Sequence, residues 1–181
     1  LVPAILILTF AWSLKAMTDS LGAAPYVAGV IQSSAESLMN FLPAIIFLIG
    51  CGLSFATGTS WGTFGVLFPI VVAAFEGSDE TMMIFSISAC MAGAVCGDDC
   101  SPISDTTIMA SAGAQCNHIN HVNTQLPYAI TVAVVSFFCY IIAGFLKSVL
   151  ALPIAILLMI GTLLVIRQIT GKEQDVKGEA A

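Results

Sequence analysis

Three carboxylates stand in an otherwise apolar run, within Cys96-Gly97-Asp98-Asp99-Cys100-Ser101-Pro102-Ile103-Ser104-Asp105-Thr106-Thr107. Acids at bilayer depth are costly and are by default functional. Asp carboxylates, Ser and Thr hydroxyls, and carbonyls freed where Gly97 and Pro102 interrupt a helix are hard oxygen donors. They suit Na+ or Li+ and give a soft metal nothing to prefer. A carboxyl kept from water beside a like charge favours its protonated form, and a bound cation favours the ionised one. Proton and alkali cation then compete for the same oxygens. At a site that opens alternately to either side of a membrane, such competition is sufficient for exchange. On this reading Asp98 takes cation and proton in turn, assisted by Asp99, Ser101, Ser104 and Asp105. Asp98 and Asp99 would point about 100° apart on a regular helix, but an unwound stretch lets both reach one cavity. Asp105 has a second use, as the N-cap of a helix beginning Thr106-Thr107-Ile108.

Other chemistries fit less well. Cys96, Cys100, His118 and His121 supply zinc-ligand types, but three residues separate the cysteines where a structural site has tighter spacing, so no transition metal is expected. An intramembrane aspartyl protease needs two opposed carboxyls sharing a proton. Adjacent Asp98 and Asp99 are not such a dyad, and Val95-Cys96-Gly97-Asp98 lacks the first glycine of a Gly-x-Gly-Asp pattern. His118 and His121 fit a solvated surface loop and are pH-sensing candidates, since imidazole titrates nearest neutrality. Cys51, Cys90, Cys96 and Cys139 fall in apolar stretches, where a thiol packs as a small hydrophobe.

The elements that must hold these groups are membrane helices. Of 181 residues, 58% are hydrophobic and 9% charged, too apolar for a soluble domain. The apolar stretches exceed the ~20 residues a spanning helix needs, and the alternation of an outer-membrane barrel is absent. The formal charge of −6 is spread over connections and the tail, and no nucleic-acid site is indicated.

Residues 1–40 read as a first span ending near Leu21, with Lys15 and Asp19 four residues apart and Trp12 at an interface, then an interfacial helix carrying Glu36. Residues 41–75 lack charge, but Gly and hydroxyl residues gather at Ser54-Phe55-Ala56-Thr57-Gly58-Thr59-Ser60-Trp61-Gly62-Thr63. Two arms of ~14 residues are too short to span, which predicts a re-entrant hairpin. Its tip at Thr57, Thr59 and Ser60 must be buried in protein or face a water-filled cavity, and so joins the site, while Trp61 and Phe64 are expected to pack. Residues 82–114 read as a transmembrane helix broken at Gly97 to Asp105. Residues 124–146 and 149–167 are ordinary spans, and 168–181 form a polar, frayed tail. Arg167, Lys172 and Lys177 favour a cytoplasmic C-terminus, placing the Glu76–Glu80 connection outside and the histidine loop inside. Two interrupted segments in succession are the pattern from which transporter sites are built.

At Phe55-Ala56-Thr57-Gly58-Thr59-Ser60-Trp61-Gly62-Thr63-Phe64-Gly65, at Gly97 to Thr107, and through His118, His121 and Thr124-Gln125-Leu126-Pro127-Tyr128, the chain resembles the C-terminal half of the NhaC family of Na+/H+ antiporters. The resemblance implies an all-α integral membrane protein, the second inverted repeat of an ion-transporter-superfamily fold, with a re-entrant helical hairpin followed by a broken transmembrane helix. It implies Na+/H+ antiport in a bacterial or archaeal cell membrane, with organic-acid exchange of the malate/lactate type as the alternative. No cofactor is expected beyond the transported Na+ and H+. The expected partners are the lipid bilayer and the missing N-terminal repeat or a second chain supplying it, with a homodimer left open. Leu1 is not a start methionine and lies within a hydrophobic segment, which suggests a fragment.

Overall fold

The computed structural model describes residues 36–75 and 79–179, with isolated positions 13, 17 and 20. The expected first span, the Lys15–Asp19 pair, Trp12 and most of the interfacial helix lie outside the described residues. Six helices follow: α1 (Glu36–Thr57), α2 (Ser60–Ala74), α3 (Glu80–Cys100), α4 (Asp105–Gly113), α5 (His118–Leu146) and α6 (Ala151–Glu179). Four carry stretches long and apolar enough to cross a membrane, at Met39–Thr57, Glu80–Cys100, His118–Leu146 and Ala151–Gln168. With no strand among the described residues, this is an all-α membrane protein.

Three boundaries differ from the sequence reading. α5 begins at His118 rather than Thr124, with Asn117 as its N-cap, so His118 and His121 lie on its first turns and not in a surface loop. The first arm of the α1–α2 hairpin is 22 residues rather than ~14, because Glu36 to Asn40 wind into it; α2, with 15, is the short arm. α6 continues through the stretch expected to fray, as far as Glu179.

Glycine sets how closely α1 and α3 pack. A Cβ on Gly93 would lie 2.3 Å from the Phe47 carbonyl oxygen, and one on Gly97 would lie 2.1 Å from that of Cys51. The two pairs share one offset, so α1 and α3 run parallel and in step, backbone against backbone. Gly93-Ala94-Val95-Cys96-Gly97 is a small-xxx-small stripe of the kind that lets membrane helices approach. Ile46, Phe47, Val71, Phe75, Met82, Ala89 and Cys90 form the core between these helices and α2. α5 runs antiparallel to both. Its Tyr140 hydroxyl is 3.0 Å from Ser88 Oγ, its Gln125 donates to the Asp99 carbonyl at 3.2 Å, and the Tyr140 ring lies 5.4 Å from Phe47. Lys147 and Asp79, 3.8 Å apart, pair the end of α5 with the start of α3. α6 folds back along α5.

Candidate functional site

Both interruptions have local causes. α1 stops where Gly58 takes φ +69, a left-handed conformation that glycine adopts without Cβ strain, while its N–H still donates to the Ser54 carbonyl at 2.8 Å. Thr59 is extended and precedes α2 without a side-chain cap. α3 stops at Pro102, which has no N–H to continue a helix. The Ser104 N–H donates to the Ser101 carbonyl at 3.3 Å, closing a tight turn. The N-cap of α4 is Ser104, whose Oγ accepts from the Thr107 N–H at 3.3 Å. Asp105, expected as that cap, is instead the first helical residue, where a negative charge favours the helix dipole.

Because α1 and α3 run in step, the two interruptions meet. Ser101 Oγ donates to the Phe55 carbonyl at 2.8 Å, and the Asp105 N–H donates to the Gly58 carbonyl at 3.3 Å. A Cβ on Gly58 would lie 2.7 Å from the Ile103 carbonyl oxygen. Each unwound segment thus satisfies backbone groups that the other helix leaves free.

Asp98 lies beside this junction, 3% exposed. Its Oδ2 accepts from the Thr106 hydroxyl at 3.0 Å, and its Oδ1 is buried with no partner. Thr106 in turn lies 2.7 Å from Ser104 Oγ. The hydroxyl oxygens of Ser54, Thr59 and Thr107 are also buried without partners, and all belong to the two interruptions or the turns flanking them. Buried polar atoms are normally satisfied; of the six such oxygens without a partner among the described residues, these four gather at the interruptions, while Asn40 Oδ1 and Ser86 Oγ lie elsewhere.

The expected site residues separate here. Asp98, Ser101, Ser104, Thr59 and Ser60 are buried or half-buried at the junction. Asp105 joins it through its backbone, with an exposed side chain. Thr57 is exposed, and its hydroxyl bonds back to the Leu53 carbonyl at 2.8 Å. Asp99 turns away: α3 stays helical through Cys100, so the two acids keep helical divergence and Asp99 lines a separate groove of about 760 Å³ beside Val95, Cys96 and Ala129. Trp61, expected to pack, is 66% exposed, with its ring 6.0 Å from that of Phe64. Thr106, Thr107 and Ser54 were not singled out from sequence. The available signal was their position one or two turns from an interruption. All six cysteines are free, and no cluster of three metal-ligating side chains occurs among the described residues. His118 bridges Pro102 and Ser111, whereas His121 is half-buried one turn further along α5.

Paired interruptions around a buried acid define a helical membrane protein of transporter type. The Na+/H+ antiporter family model matches residues 1–145, and the chain belongs to that family. It is 48% identical over 148 residues to an uncharacterized protein of Haemophilus influenzae, covering 82% of this chain and 28% of that protein. It is 32% identical over 123 residues to a malate-2H(+)/Na(+)-lactate antiporter of Bacillus subtilis, covering 65% of this chain and 26% of that one. An uncharacterized Na(+)/H(+) antiporter of Haemophilus influenzae is 34% identical over 104 residues, covering 58% and 20%. The chain therefore spans between a fifth and somewhat more than a quarter of the length of these curated relatives. No solved structure matches it.

Proposed function

We propose that the full-length protein exchanges Na+ for H+ across the cell membrane by alternating access, with Asp98 as the group that cation and proton occupy in turn. The observation that carries this is the buried, unpartnered Oδ1 of Asp98 beside two meeting helix interruptions. Ser101, Ser104 and Asp105 frame the α3–α4 side, and Thr59 and Ser60 the α1–α2 side. Thr57 and Asp99 reach the ion only if the interruptions rearrange during transport. These helices act as the second of two inverted repeats, and the first is supplied by the rest of the protein or by a second chain.

Proteoliposomes of the full-length protein, loaded with a lumenal pH indicator, test this reading. An outward Na+ gradient should acidify the lumen, and Asp98→Asn should abolish the response. If Asp98→Asn exchanges as fast as the parent, Asp98 is not the shared site.

The malate/lactate name of the Bacillus relative favours organic-acid exchange as a second reading. An organic anion wants a cationic partner, and no Lys or Arg lies between Lys15 and Lys147. Na+-dependent uptake of labelled malate or lactate by the same vesicles decides between them.

A further inference from the structure

The groove beside Asp99 lies apart from the junction of the two interruptions. It runs along α3 from Ile84 to Asp99, about 22 Å of helix, with Val132 and Ser136 of α5 on its other wall and a volume of about 760 Å³. Among the described residues that line it, Asp99 is the one that carries a charge, and it stands at one end. Ile84, Met91 and Val95 are exposed, so the groove opens sideways. The Asp99 side chain is exposed too, and no ion pair to it occurs among the described residues. No Lys or Arg lies between Lys15 and Lys147; Lys147 is paired with Asp79 at the opposite end of α3, and Arg167 belongs to α6, which adds nothing to the groove wall. From Asp79 to Asp99 the helix rises about 30 Å, the thickness of a hydrocarbon core. With the exposed Asp79–Lys147 pair among the headgroups of one leaflet, an upright α3 brings Asp99 level with those of the other.

We infer that this groove is a lipid site that takes a phospholipid with a primary ammonium head, of the phosphatidylethanolamine type. The ammonium sits on the Asp99 carboxylate, and one acyl chain lies along α3 past Val95, Met91 and Ile84. Charge complementarity chooses the head. A membrane acid without a cationic partner is costly, and an ammonium supplies both the charge and the N–H donors of a charge-assisted hydrogen bond. An anionic head would set like charge against Asp99, and a choline head has the charge but no N–H. The apolar wall chooses an amphiphile, because a bare cation on Asp99 would leave the rest of the groove empty. The lipid neutralises the acid next to Asp98 without reaching Asp98 itself, which is buried on another side of α3. A cation at Asp98 then has one negative neighbour fewer. That consequence rests on the antiport reading, but the lipid site does not.

Photo-crosslinking of the full-length protein in nanodiscs reads the site without reference to transport. The probes are phosphatidylethanolamine, phosphatidylcholine and phosphatidylglycerol, each with a diazirine on the same acyl chain, supplied as a trace in a phosphatidylcholine bilayer. Phosphatidylethanolamine should label peptides covering 84–99 and 129–136 about tenfold more than the other two, the factor set by one hydrogen bond to a charged group. Asp99→Asn should lose that preference. Val95→Trp keeps the acid but fills the groove from an exposed position, so it should lose the labelling, and it serves if Asp99→Asn does not fold. Equal labelling by the three lipids, or variants that label as the parent does, overturns the inference. So does a parent unlabelled at 84–99, the result expected if another helix of the full-length protein fills the groove. In proteoliposomes, adding phosphatidylethanolamine to phosphatidylcholine should raise the apparent KM for Na+ about threefold in the parent and not in Val95→Trp, the effect of removing one neighbouring charge screened as in water. Labelling as stated with an unchanged KM overturns the link to Asp98. Labelling as stated in a parent without Na+-driven proton flux upholds the lipid site and overturns the antiport reading.

Discussion

A buried carboxylate oxygen with no protein donor beside it carries a desolvation cost, which is why the two oxygens of Asp98 have to be considered separately. Oδ2 has the Thr106 hydroxyl at 3.0 Å; Oδ1 has nothing. The first bond orients the group, and on the proposed reading the second oxygen takes the ion. Thr106→Val keeps the shape and removes the donor. A hydrogen bond to a charged group contributes about 1.5–3 kcal/mol, so losing it should raise the apparent KM for Na+ roughly tenfold or more, with Thr106→Ser close to the parent. Sodium-dependent exchange rates measure this, and an unchanged KM in Thr106→Val would mean that Asp98 is oriented by something else. Residue type was enough to single out the acids of this run from the sequence, because an acid in an apolar run has few structural uses. It was not enough to separate Asp98 from Asp99. That division depends on α3 remaining helical through Cys100, which leaves one carboxyl inside and the other lining an open groove.

Helices that break side by side must also be held side by side, and glycine does both tasks. Gly58 is left-handed and faces the Ile103 carbonyl, so Gly58→Ala combines φ strain with a clash at 2.7 Å. The strain alone costs about 1–2 kcal/mol. Gly97→Ala drives a methyl into the Cys51 carbonyl at 2.1 Å and must force α1 and α3 apart, an overpacking of about 1–3 kcal/mol. Thermal unfolding in detergent should register both as lower midpoints. Gly52→Ala, whose Cβ meets nothing within 4 Å, should leave the midpoint near that of the parent. Equal midpoints for Gly97→Ala and Gly52→Ala would contradict the backbone-to-backbone packing. The interruptions themselves were legible in sequence at Gly58 and Pro102, which stand among hydroxyl residues inside apolar runs; Gly97, expected to interrupt the helix as well, stays helical within α3 and sets its approach to α1. The length of α1 was not. Glu36 to Asn40 read as an interfacial segment, yet they continue the helix, since a polar first turn is no obstacle to winding when the following turns bury Ala44, Ile46 and Phe47. The glycine stripe of α3 was present in the sequence but carries meaning only once a partner helix lies against it.

Taken along the membrane normal, the chain has two unlike ends. Asp79 and Lys147 pair at one end, and the interruptions, His118 and the α4–α5 connection lie toward the other. From Asp79 to Asp98 an α-helix rises about 28 Å, close to the ~30 Å thickness of a hydrocarbon core. On the proposed reading, an upright α3 with Asp79 at one face would carry Asp98 toward the other, with the shorter route to water on the His118 side. α6 folds back along α5 and delivers Arg167 toward the His118 side, which the positive-inside tendency assigns to the cytoplasm. In a full-length background freed of native cysteines, Thr106→Cys should react with a membrane-impermeant maleimide applied from the cytoplasmic face, and Na+ should slow that reaction. Thr81→Cys, exposed at the second residue of α3, should react only from the outside. Labelling of both positions from the same face would show that α3 does not cross the bilayer between them. Labelling of Thr106→Cys from outside alone would invert the topology and with it the side from which Na+ first reaches Asp98.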